Sequence, residues 1–400
     1  MSQAFSAPGK ALIAGGYLVL FPQYSALSIA LSSRMHAILA EPDSGGNIPT
    51  EALDDFVRAT TALWTFSCPQ FDSEWVYNAM STSAKSGPHE NPFLQAVTRV
   101  MSAYLGKTVR SARIKIFSDK GFHSQPSHTH DEVRFTMYGK HIIQVPKTGL
   151  GSSAALTVVA VAALVRAHNQ RSGPFNDTEL NLIHNLSQMA HCLAQGKTGS
   201  GFDVATAVYG SIRYSRFTND VFDLSSVEKL GNSQWDTKIH PVRLPDNVKV
   251  ILGDVNAGSN TPSMVRSVLQ WRENNPEESN ALWETLNAAN RDLMFALENS
   301  SEDIEPAILR IRNGLQRMTA LANVPIEPQA QTILLDKCTS VDGILGGVVP
   351  GAGGNDAICL VVDSSKKSAV MAELGAIPGL TLLDLKQEND GLRVENTLYP

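Results

Sequence analysis

The chain has 400 residues, of which 43% are hydrophobic and 18% are charged. At roughly 100–200 residues per domain, this length and globular composition indicate two folded domains and exclude a disordered chain. The net charge of −6 excludes a protein whose main partner is nucleic acid or an anionic membrane, so any anion site must be built locally.

The cysteines and the N-terminus predict a soluble, cytoplasmic protein. Four cysteines lie far apart without metal-binding spacing, as is typical of reduced thiols in the cytosol: Cys68, Cys192, Cys338 and Cys359. Residues 1–10 lack the basic region of a signal peptide. The longest apolar run, Ala154 to Val165, is shorter than the ~18–20 residues that cross a bilayer.

In chain order, strands and helices mix throughout the first part of the sequence. The predicted strands are Tyr17–Leu20 after the bend at Gly15-Gly16, Ser28–Leu39, Arg113–Ser118 and Ser211–Phe217. The predicted helices are Glu51–Thr65, Pro92–Tyr104, Ser152–His168 capped by its serines, a helix from Asp177 that ends at Gly196, and Asp203–Tyr209.

The polar segment from Gly231 to Asn247 predicts a domain boundary, with domains at residues 1–243 and 244–400. Beyond it the predicted elements are the strand Val248–Val255, helices within 263–323, the strands Val341–Val349 and Ala357–Val362, and a last strand Leu380–Leu385. Because regular β-α-β alternation is missing, we predict an α+β fold and not a doubly wound sheet.

The segment from Pro146 to Ala155, PKTGLGSSAA, has the pattern of a phosphate-binding loop. Its glycines let backbone amides approach a ligand, and the helix that follows presents unpaired N–H groups. It formally matches the dinucleotide pattern G-x-G-x-x-A, but the second strand and the ribose-binding acid of that site are missing. A tight strand-to-helix turn with serine caps is the alternative interpretation.

Three further glycine-rich segments carry charged residues: Pro8-Gly9-Lys10, the segment from Thr198 to Asp203, and residues 350–356. Taken singly, they are also explained by a solvated lysine, a helix cap and a turn. The glycines at 351, 353 and 354 exceed what a turn needs, and they predict a nest of backbone amides around an anion.

Together these segments resemble a known family. Pro-Gly-Lys near the N-terminus, Gly-Leu-Gly-Ser-Ser-Ala-Ala before a helix, and Pro-Gly-Ala-Gly-Gly-Asn-Asp-Ala near the C-terminus are similar to the three motifs of the GHMP kinases. Within that superfamily, residues 6–20 and 184–217 look like the fungal-type phosphomevalonate kinases. The resemblance implies an N-terminal domain related to ribosomal protein S5 domain 2 and a ferredoxin-like C-terminal domain.

The resemblance also implies an activity, which is transfer of the γ-phosphoryl group of ATP to the phosphate of phosphomevalonate in the mevalonate pathway to isoprenoids and sterols. The implied partners are ATP, Mg²⁺ and phosphomevalonate. The implied site residues are Lys10 and Asp203 for catalysis; Lys147, Thr148, Gly149, Leu150, Gly151, Ser152, Ser153, Ala154 and Ala155 for ATP; Ser153 and Asp203 for the metal; and Tyr17, Ser200, Arg213, Gly351, Gly353 and Gly354 for the substrate.

One departure concerns the metal, because mevalonate kinases carry a glutamate where this chain has His191-Cys192-Leu193. His191 is then either a donor to a substrate phosphate or a packed histidine. Basic residues beside the motifs favour an acceptor that is itself an anion: Lys147, Lys197, Arg213 and Arg216. A phosphate acceptor is mostly a dianion at neutral pH and needs no general base, so we expect Asp203 to orient Lys10.

Three alternatives remain. The chain could phosphorylate mevalonate or another small molecule, or it could be a non-catalytic sensor, against which Lys10, Ser153 and Asp203 speak. A metal site is also conceivable in a polar loop at His123, His128, His130 and Asp131.

Overall fold

The computed structural model describes residues 2–40, 62–80, 90–123, 134–255, 261–299, 302–383 and 385–396. Within these ranges the strands are β1 (Gln3–Ala14), β2 (Ala26–Leu39), β3 (Leu63–Cys68), β4 (Ser73–Asn78), β5 (Ala112–Ser118), β6 (Ile212–Ser215), β7 (Lys238–Pro241), β8 (Val248–Asp254), β9 (Ile344–Val348), β10 (Ala357–Asp363), β11 (Thr381–Leu383), β12 (Gln387–Glu388) and β13 (Arg393–Glu395). The helices are α1 (Pro92–Leu105), α2 (Ser152–Asn169), α3 (Asp177–Gln195), α4 (Phe202–Tyr209), α5 (Val227–Asn232), α6 (Thr261–Asn274), α7 (Pro276–Glu298), α8 (Ile304–Ala322), α9 (Gln329–Thr339) and α10 (Lys367–Leu374).

Two sheets organise these elements. The larger sheet has the strand order β13-β1-β2-β5-β3-β4, with β6 and β12 also paired to β2 and β7 paired to β6. Its β3–β5 pair is parallel. The smaller sheet is antiparallel and has the order β11-β8-β10-β9. Strands and helices follow one another without regular β-α-β alternation, which confirms the predicted α+β class.

Helix α2 forms the centre of the first half of the protein. It packs on β1, β2, α1, α3 and α4, and small and apolar residues surround its axis, as expected for a helix covered on every side. By length and composition it could also cross a bilayer, the one such helix in the described ranges. Because 72% of it is buried inside the protein, a core helix accounts for the same pattern.

The predicted ends of the long helices are confirmed where local signals are strong. The Asn91 side chain caps α1 and Pro92 is its first residue, the position where a missing N–H costs nothing. Asn176 caps α3 and forms a reciprocal capping box with Glu179. Gly196 closes the same helix in the left-handed conformation, at a φ of 65°.

Two local predictions are wrong. Tyr17–Leu20 is a 3-10 turn and not a strand, because Gly15 has a φ of 97° and its carbonyl accepts the Val19 N–H at 2.9 Å. The predicted helix from Glu51 to Thr65 also fails at its end, where Leu63 starts β3. The earlier part of that helix, residues 51–61, lies outside the described residues.

The C-terminal segment returns to the larger sheet, which the sequence patterns did not predict. Strand β12 pairs with β2 and β13 pairs with β1. Arg34 of β2, only 1% exposed, holds this segment by donating hydrogen bonds to the Glu388 carboxylate and the Gly391 carbonyl. It also donates to Ser6 Oγ at 2.7 Å. The domain boundary between residues 243 and 244 stays a prediction. Strands β12 and β13 come after that boundary in sequence but lie in the larger sheet.

We expect Arg34→Ala to lower the free energy of unfolding by about 3–5 kcal/mol, because the buried carbonyls of Ser6 and Gly391 lose a charged donor, at about 1–3 kcal/mol each, and Glu388 loses an ion pair. Urea unfolding measures the change. Arg310→Ala is the matched control, since Arg310 pairs with Asp292 at 2.8 Å with both side chains about half exposed, and such pairs contribute about 0–1 kcal/mol. Similar losses in the two variants would contradict the structural role of Arg34.

Candidate active site

Strand β1 carries Lys10 against the loop that precedes α2. The Lys10 backbone N–H donates to the Leu150 carbonyl at 2.9 Å, and Nζ donates to the Gly149 carbonyl at 3.0 Å. A side chain at Gly9 would meet the Leu150 carbonyl oxygen at 3.1 Å. The Pro-Gly-Lys motif therefore brings a lysine into direct contact with the glycine-rich loop.

The loop reaches α2 through two glycines with positive φ, Gly149 at 75° and Gly151 at 79°. A Cβ at Gly149 would meet nothing within 4 Å, whereas one at Gly151 would lie 3.0 Å from Lys10 Cγ. Gly151 is also the N-terminal cap residue of α2. The predicted serine caps are therefore wrong, because the backbone enters the helix from a left-handed glycine and no side chain caps it.

The segment from Thr198 to Asp203, here called the aspartate loop, lies beside this lysine. Asp203 is the second residue of α4, and its Oδ1 accepts the Val204 N–H at 2.9 Å. The cap residue of α4 is Gly201, where a Cβ would lie 2.6 Å from the hydroxyl oxygen of Tyr214. That hydroxyl donates to the Ser200 carbonyl at 2.9 Å. The alternative reading of Asp203 as a helix cap is therefore not what the structure contains.

Charge and burial act in opposite directions on Lys10. Burial lowers the pKa of Lys10, and the carboxylate of Asp203 partly offsets this by favouring the charged form. Lys10 Nζ also lies 5.5 Å from the centroid of the Phe202 ring, a distance suited to cation–π attraction. A largely desolvated cation therefore lies between the glycine-rich loop and the aspartate loop.

Three helices contribute polar groups to one point beside the lysine. His191 of α3 places Nε2 3.2 Å from Ser153 Oγ and 3.8 Å from Asp203 Oδ2. A hydroxyl and a carboxylate are hard oxygen donors of the kind that Mg²⁺ prefers, and Mg²⁺ commonly takes one or two protein ligands together with phosphate oxygens. Ser153 and Asp203 therefore fit a magnesium site completed by a nucleotide.

A cavity of about 230 Å³, here called the lysine cavity, connects the two sheets. Its wall on the first-sheet side includes Lys10, Tyr17 and Ser200. From the opposite side come Leu252 of β8 and the glycines of the loop after β9. The predicted residues that line it are Lys10, Tyr17, Thr148, Gly149, Leu150, Ser200, Gly351 and Gly353.

A second cavity of about 220 Å³, here called the aromatic cavity, lies on the other side of the same loop. The predicted residues Lys147, Ser152 and Ser153 line it. Its apolar walls come from five elements or turns, which contribute Phe71, Trp75, Phe93, Ile116 and Leu156. Loop 147–153 therefore separates two cavities, while Ala154 and Ala155 are fully buried behind it.

The basic end of the aromatic cavity contains Lys147 and His123. Burial lowers the pKa of Lys147. Burial and the Lys147 cation together lower the pKa of His123 to about 4, and its Nε2 lies 3.2 Å from Ser118 Oγ. The alternative metal site would combine His123 with residues 128–131, which lie outside the described residues. In the described ranges, no group of three His, Cys, Asp or Glu side chains could hold a metal.

Two of the three glycine amides that were predicted to form a nest in the loop 350–356 are bonded within the protein. The Gly353 N–H donates to the Pro350 carbonyl at 3.1 Å, and the Gly354 N–H donates to the Ile326 carbonyl at 2.8 Å. A Cβ at Gly353 would lie 2.2 Å from that carbonyl oxygen. Close packing against the Ile326 carbonyl therefore accounts for Gly353, and Gly354 does not line the lysine cavity.

Tyr17 connects this loop to the first sheet, since its hydroxyl donates to the Ala352 carbonyl at 2.9 Å. Gly16 approaches the same loop, and a Cβ there would lie 3.3 Å from the Gly351 carbonyl oxygen. The bend after β1 therefore lines the lysine cavity and contacts the loop that follows β9 of the smaller sheet.

The structure does not bring all the predicted basic residues together. Arg213 lies 3.5 Å from Glu298 of α7, because side chains alternate along β6 and its neighbour Tyr214 takes the face toward the aspartate loop. Arg216 donates to the carbonyls of Leu20 and Thr198, so it braces the loop instead of facing a cavity. Lys197 is exposed. Of the predicted cations, Lys10 and Lys147 line the two cavities.

Sequence reasoning missed the aromatic wall. Trp75 comes from β4 and Phe93 from the first turn of α1. Neither residue belongs to one of the glycine-rich motifs from which the site was predicted. Buried residues alternate along β4, which was a detectable strand signal, but the pattern alone does not say that Trp75 faces a cavity.

Known proteins are similar to this chain in sequence and in fold. The sequence model described as GHMP kinases N terminal domain matches residues 96–211. The phosphomevalonate kinase of Candida albicans is 39% identical, covering 99% of this chain and 98% of its own, and that of Gibberella zeae is 34% identical, covering 98% and 96%. A solved structure of Streptococcus pneumoniae phosphomevalonate kinase in complex with phosphomevalonate and AMPPNP has a TM-score of 0.68 at 19% identity, covering 96% of this chain and 99% of that one.

The buried cation predicts an unusual stability effect. Because burial lowers the pKa of Lys10, the unfolded chain binds more protons than the folded protein near the usual lysine range, and stability rises with pH there. We expect Lys10→Met to be more stable than the parent at neutral pH, with a gain that shrinks as pH approaches the ordinary lysine pKa of about 10.

Urea unfolding of the parent and Lys10→Met across this pH range measures the difference. Lys197→Met is the control, because Lys197 is exposed and its replacement should leave stability within about 0.5 kcal/mol at each pH. A Lys10→Met variant that is less stable than the parent throughout would contradict the argument.

Proposed function

The chain belongs to the phosphomevalonate kinase family and has the GHMP kinase fold, and we propose that it transfers the γ-phosphoryl group of ATP to the phosphate of phosphomevalonate, giving diphosphomevalonate and ADP. The observation that carries this proposal is the single loop, residues 147–153, with a cavity on each side and Lys10 beside it. A phosphoryl group can pass between two ligands that meet at such a loop.

The aromatic cavity suits the nucleotide. Flat apolar walls with a few polar groups are typical of base-binding pockets, and Trp75 and Phe93 provide such walls here. Lys147, Ser152 and Ser153 line the same cavity at the N-terminus of α2, where unpaired N–H groups and the helix dipole attract phosphate. We therefore assign the ATP phosphates to residues 147–153.

The lysine cavity suits the acceptor. Lys10 supplies a cation, and Tyr17, Thr148 and Ser200 come from the first-sheet side. Gly351 and Gly353 complete the wall from the other side. Because the structure places Arg213 elsewhere and Gly354 away from the cavity, we leave both out of the proposed acceptor site.

The chemistry of this site is mainly electrostatic. The acceptor phosphate has its second pKa near ~6, so it is already an anionic nucleophile at neutral pH and needs no general base. The difficulty is to bring two polyanions together, which a preorganised cation reduces. Lys10, held by the Gly149 carbonyl and attracted by Asp203, is placed to neutralise charge between them.

In this proposal Asp203 therefore acts by orienting its neighbours. Its carboxylate lies near Lys10 and within 3.8 Å of His191 Nε2, and in this proposal it orients the lysine instead of removing a proton. When bound, Mg²⁺ supplies further positive charge to the phosphates, and Ser153 and Asp203 are the residues that would hold it.

We also propose that the enzyme acts in the cytoplasm. All four cysteines are free and buried, as is usual for proteins of reducing compartments.

The function is tested by measuring ADP release with ATP and one of three acceptors: phosphomevalonate, mevalonate or galactose. We expect turnover with phosphomevalonate and at least about 100-fold lower kcat/KM with the two acceptors that lack a phosphate, since each lost charged contact costs several kcal/mol. Preference for mevalonate would support the mevalonate kinase alternative, and no turnover with any acceptor would support a sensor.

Asp203→Asn tests the role of the carboxylate. Asn keeps the shape and the hydrogen bond to the Val204 N–H but removes the charge, so the fold should survive. We expect kcat to fall by at least about 100-fold, the scale of loss when a charged group at a transferring phosphoryl site is removed. Steady-state kinetics and the thermal midpoint are measured together, and a stable variant with near-normal kcat would rule out an active-site role for Asp203.

A further inference from the structure

His191 lies where α2, α3 and α4 meet, and the proposed mechanism does not yet use it. Its side chain is buried, with the residue 2% exposed, and its ring stacks on Phe93 with centroids 5.3 Å apart and planes 26° apart. Phe93 also lines the aromatic cavity. The ring is therefore held in a fixed orientation beside the proposed nucleotide site.

The surrounding hydrogen bonds indicate which ring nitrogen carries the proton. Gln195 Nε2 and Ser153 Oγ lie 3.4 Å and 3.2 Å from His191 Nε2, and both groups can donate a proton. We assign the ring proton to Nδ1, so that the one lone pair of Nε2 faces these two neighbours. The distance of 3.8 Å to Asp203 Oδ2 agrees with this, since it is too long for a hydrogen bond donated by Nε2.

This tautomer determines the orientation of the Ser153 hydroxyl. Ser153 Oγ lies 3.2 Å from His191 Nε2, so the hydroxyl donates its one proton to the ring nitrogen. Both oxygen lone pairs are then left for other partners. Because Ser153 lines the aromatic cavity, those lone pairs are available to a cation beside a bound nucleotide.

We propose that His191 is a positioning residue for phosphoryl transfer: by accepting the Ser153 hydroxyl proton, it holds Ser153 Oγ ready as a Mg²⁺ ligand. This gives a role to a histidine in the stretch 191–193, where mevalonate kinases carry a metal-binding glutamate. The inference rests on the proposed function, in which Ser153 lies at the ATP phosphates. Groups that orient metal ligands in this way typically change metal affinity or activity by 10–100-fold.

A double-mutant cycle tests whether His191 acts through Ser153. In the parent enzyme, His191→Leu should lower kcat by about 10- to 100-fold with little change in the KM for phosphomevalonate. In a Ser153→Ala background the same substitution should change kcat less than about 3-fold, since the hydroxyl it orients is gone. An equal loss in both backgrounds would overturn the proposal.

A binding measurement gives a readout that does not depend on turnover. Calorimetry with a non-hydrolysable ATP analogue, with and without Mg²⁺, measures how much the metal strengthens nucleotide binding. We expect His191→Leu to reduce that gain by about 10-fold or more and to leave the metal-free affinity unchanged. His191→Gln should retain most of the gain, because its amide oxygen can accept the Ser153 proton.

His184→Leu is the matched control. His184 is on the same helix and 2% exposed, but its ring contacts Tyr209 and Trp235 instead of the site. It should alter stability without changing the effect of Mg²⁺. Full retention of the metal effect in His191→Leu, or a glutamine variant as impaired as the leucine variant, would overturn the role of His191. Because this assay uses no acceptor, its result stands even if phosphomevalonate proves not to be the acceptor.

Discussion

The site depends on one contact, the pairing of Lys10 with the loop before α2. The backbone N–H of Lys10 donates to the Leu150 carbonyl at 2.9 Å and its Nζ donates to the Gly149 carbonyl at 3.0 Å. One residue thereby joins strand β1 to the loop that enters the core helix α2. Because Gly151 leaves no room for a side chain beside Lys10, strand, loop and cation have a single relative placement.

That placement also explains how an acidic protein can hold two polyanions. With a net charge of −6, attraction cannot come from the surface as a whole and must come from a few desolvated cations and helix ends. Lys10 lines the lysine cavity, and Lys147 lines the aromatic cavity. Burial lowers the pKa of each, because partial loss of hydration disfavours the charged form, although part of Lys147 stays exposed to water.

The second half of the protein reaches the site through short, backbone-mediated contacts. Tyr17 donates to the Ala352 carbonyl, and Gly353 packs against the Ile326 carbonyl. The C-terminal strands β12 and β13 return to the first sheet and are held there by buried Arg34. A chain that resembles two successive domains in sequence therefore contributes its last residues to the sheet that contains Lys10.

The sequence by itself determined the features that depend on neighbouring residues: the helix ends at Asn91-Pro92 and Gly196, the glycine-rich loop and the family resemblance, which the relatives confirm. These signals arise from capping, backbone conformation and periodicity within one segment. Only the tertiary structure decided the contact of Tyr17 with Ala352, the bonded amides of Gly353 and Gly354, and the separation of Arg213 from the site. It alone placed His191 between Ser153 and Asp203, because Ser153 and His191 are 38 residues apart in sequence and meet only when α2 and α3 pack together.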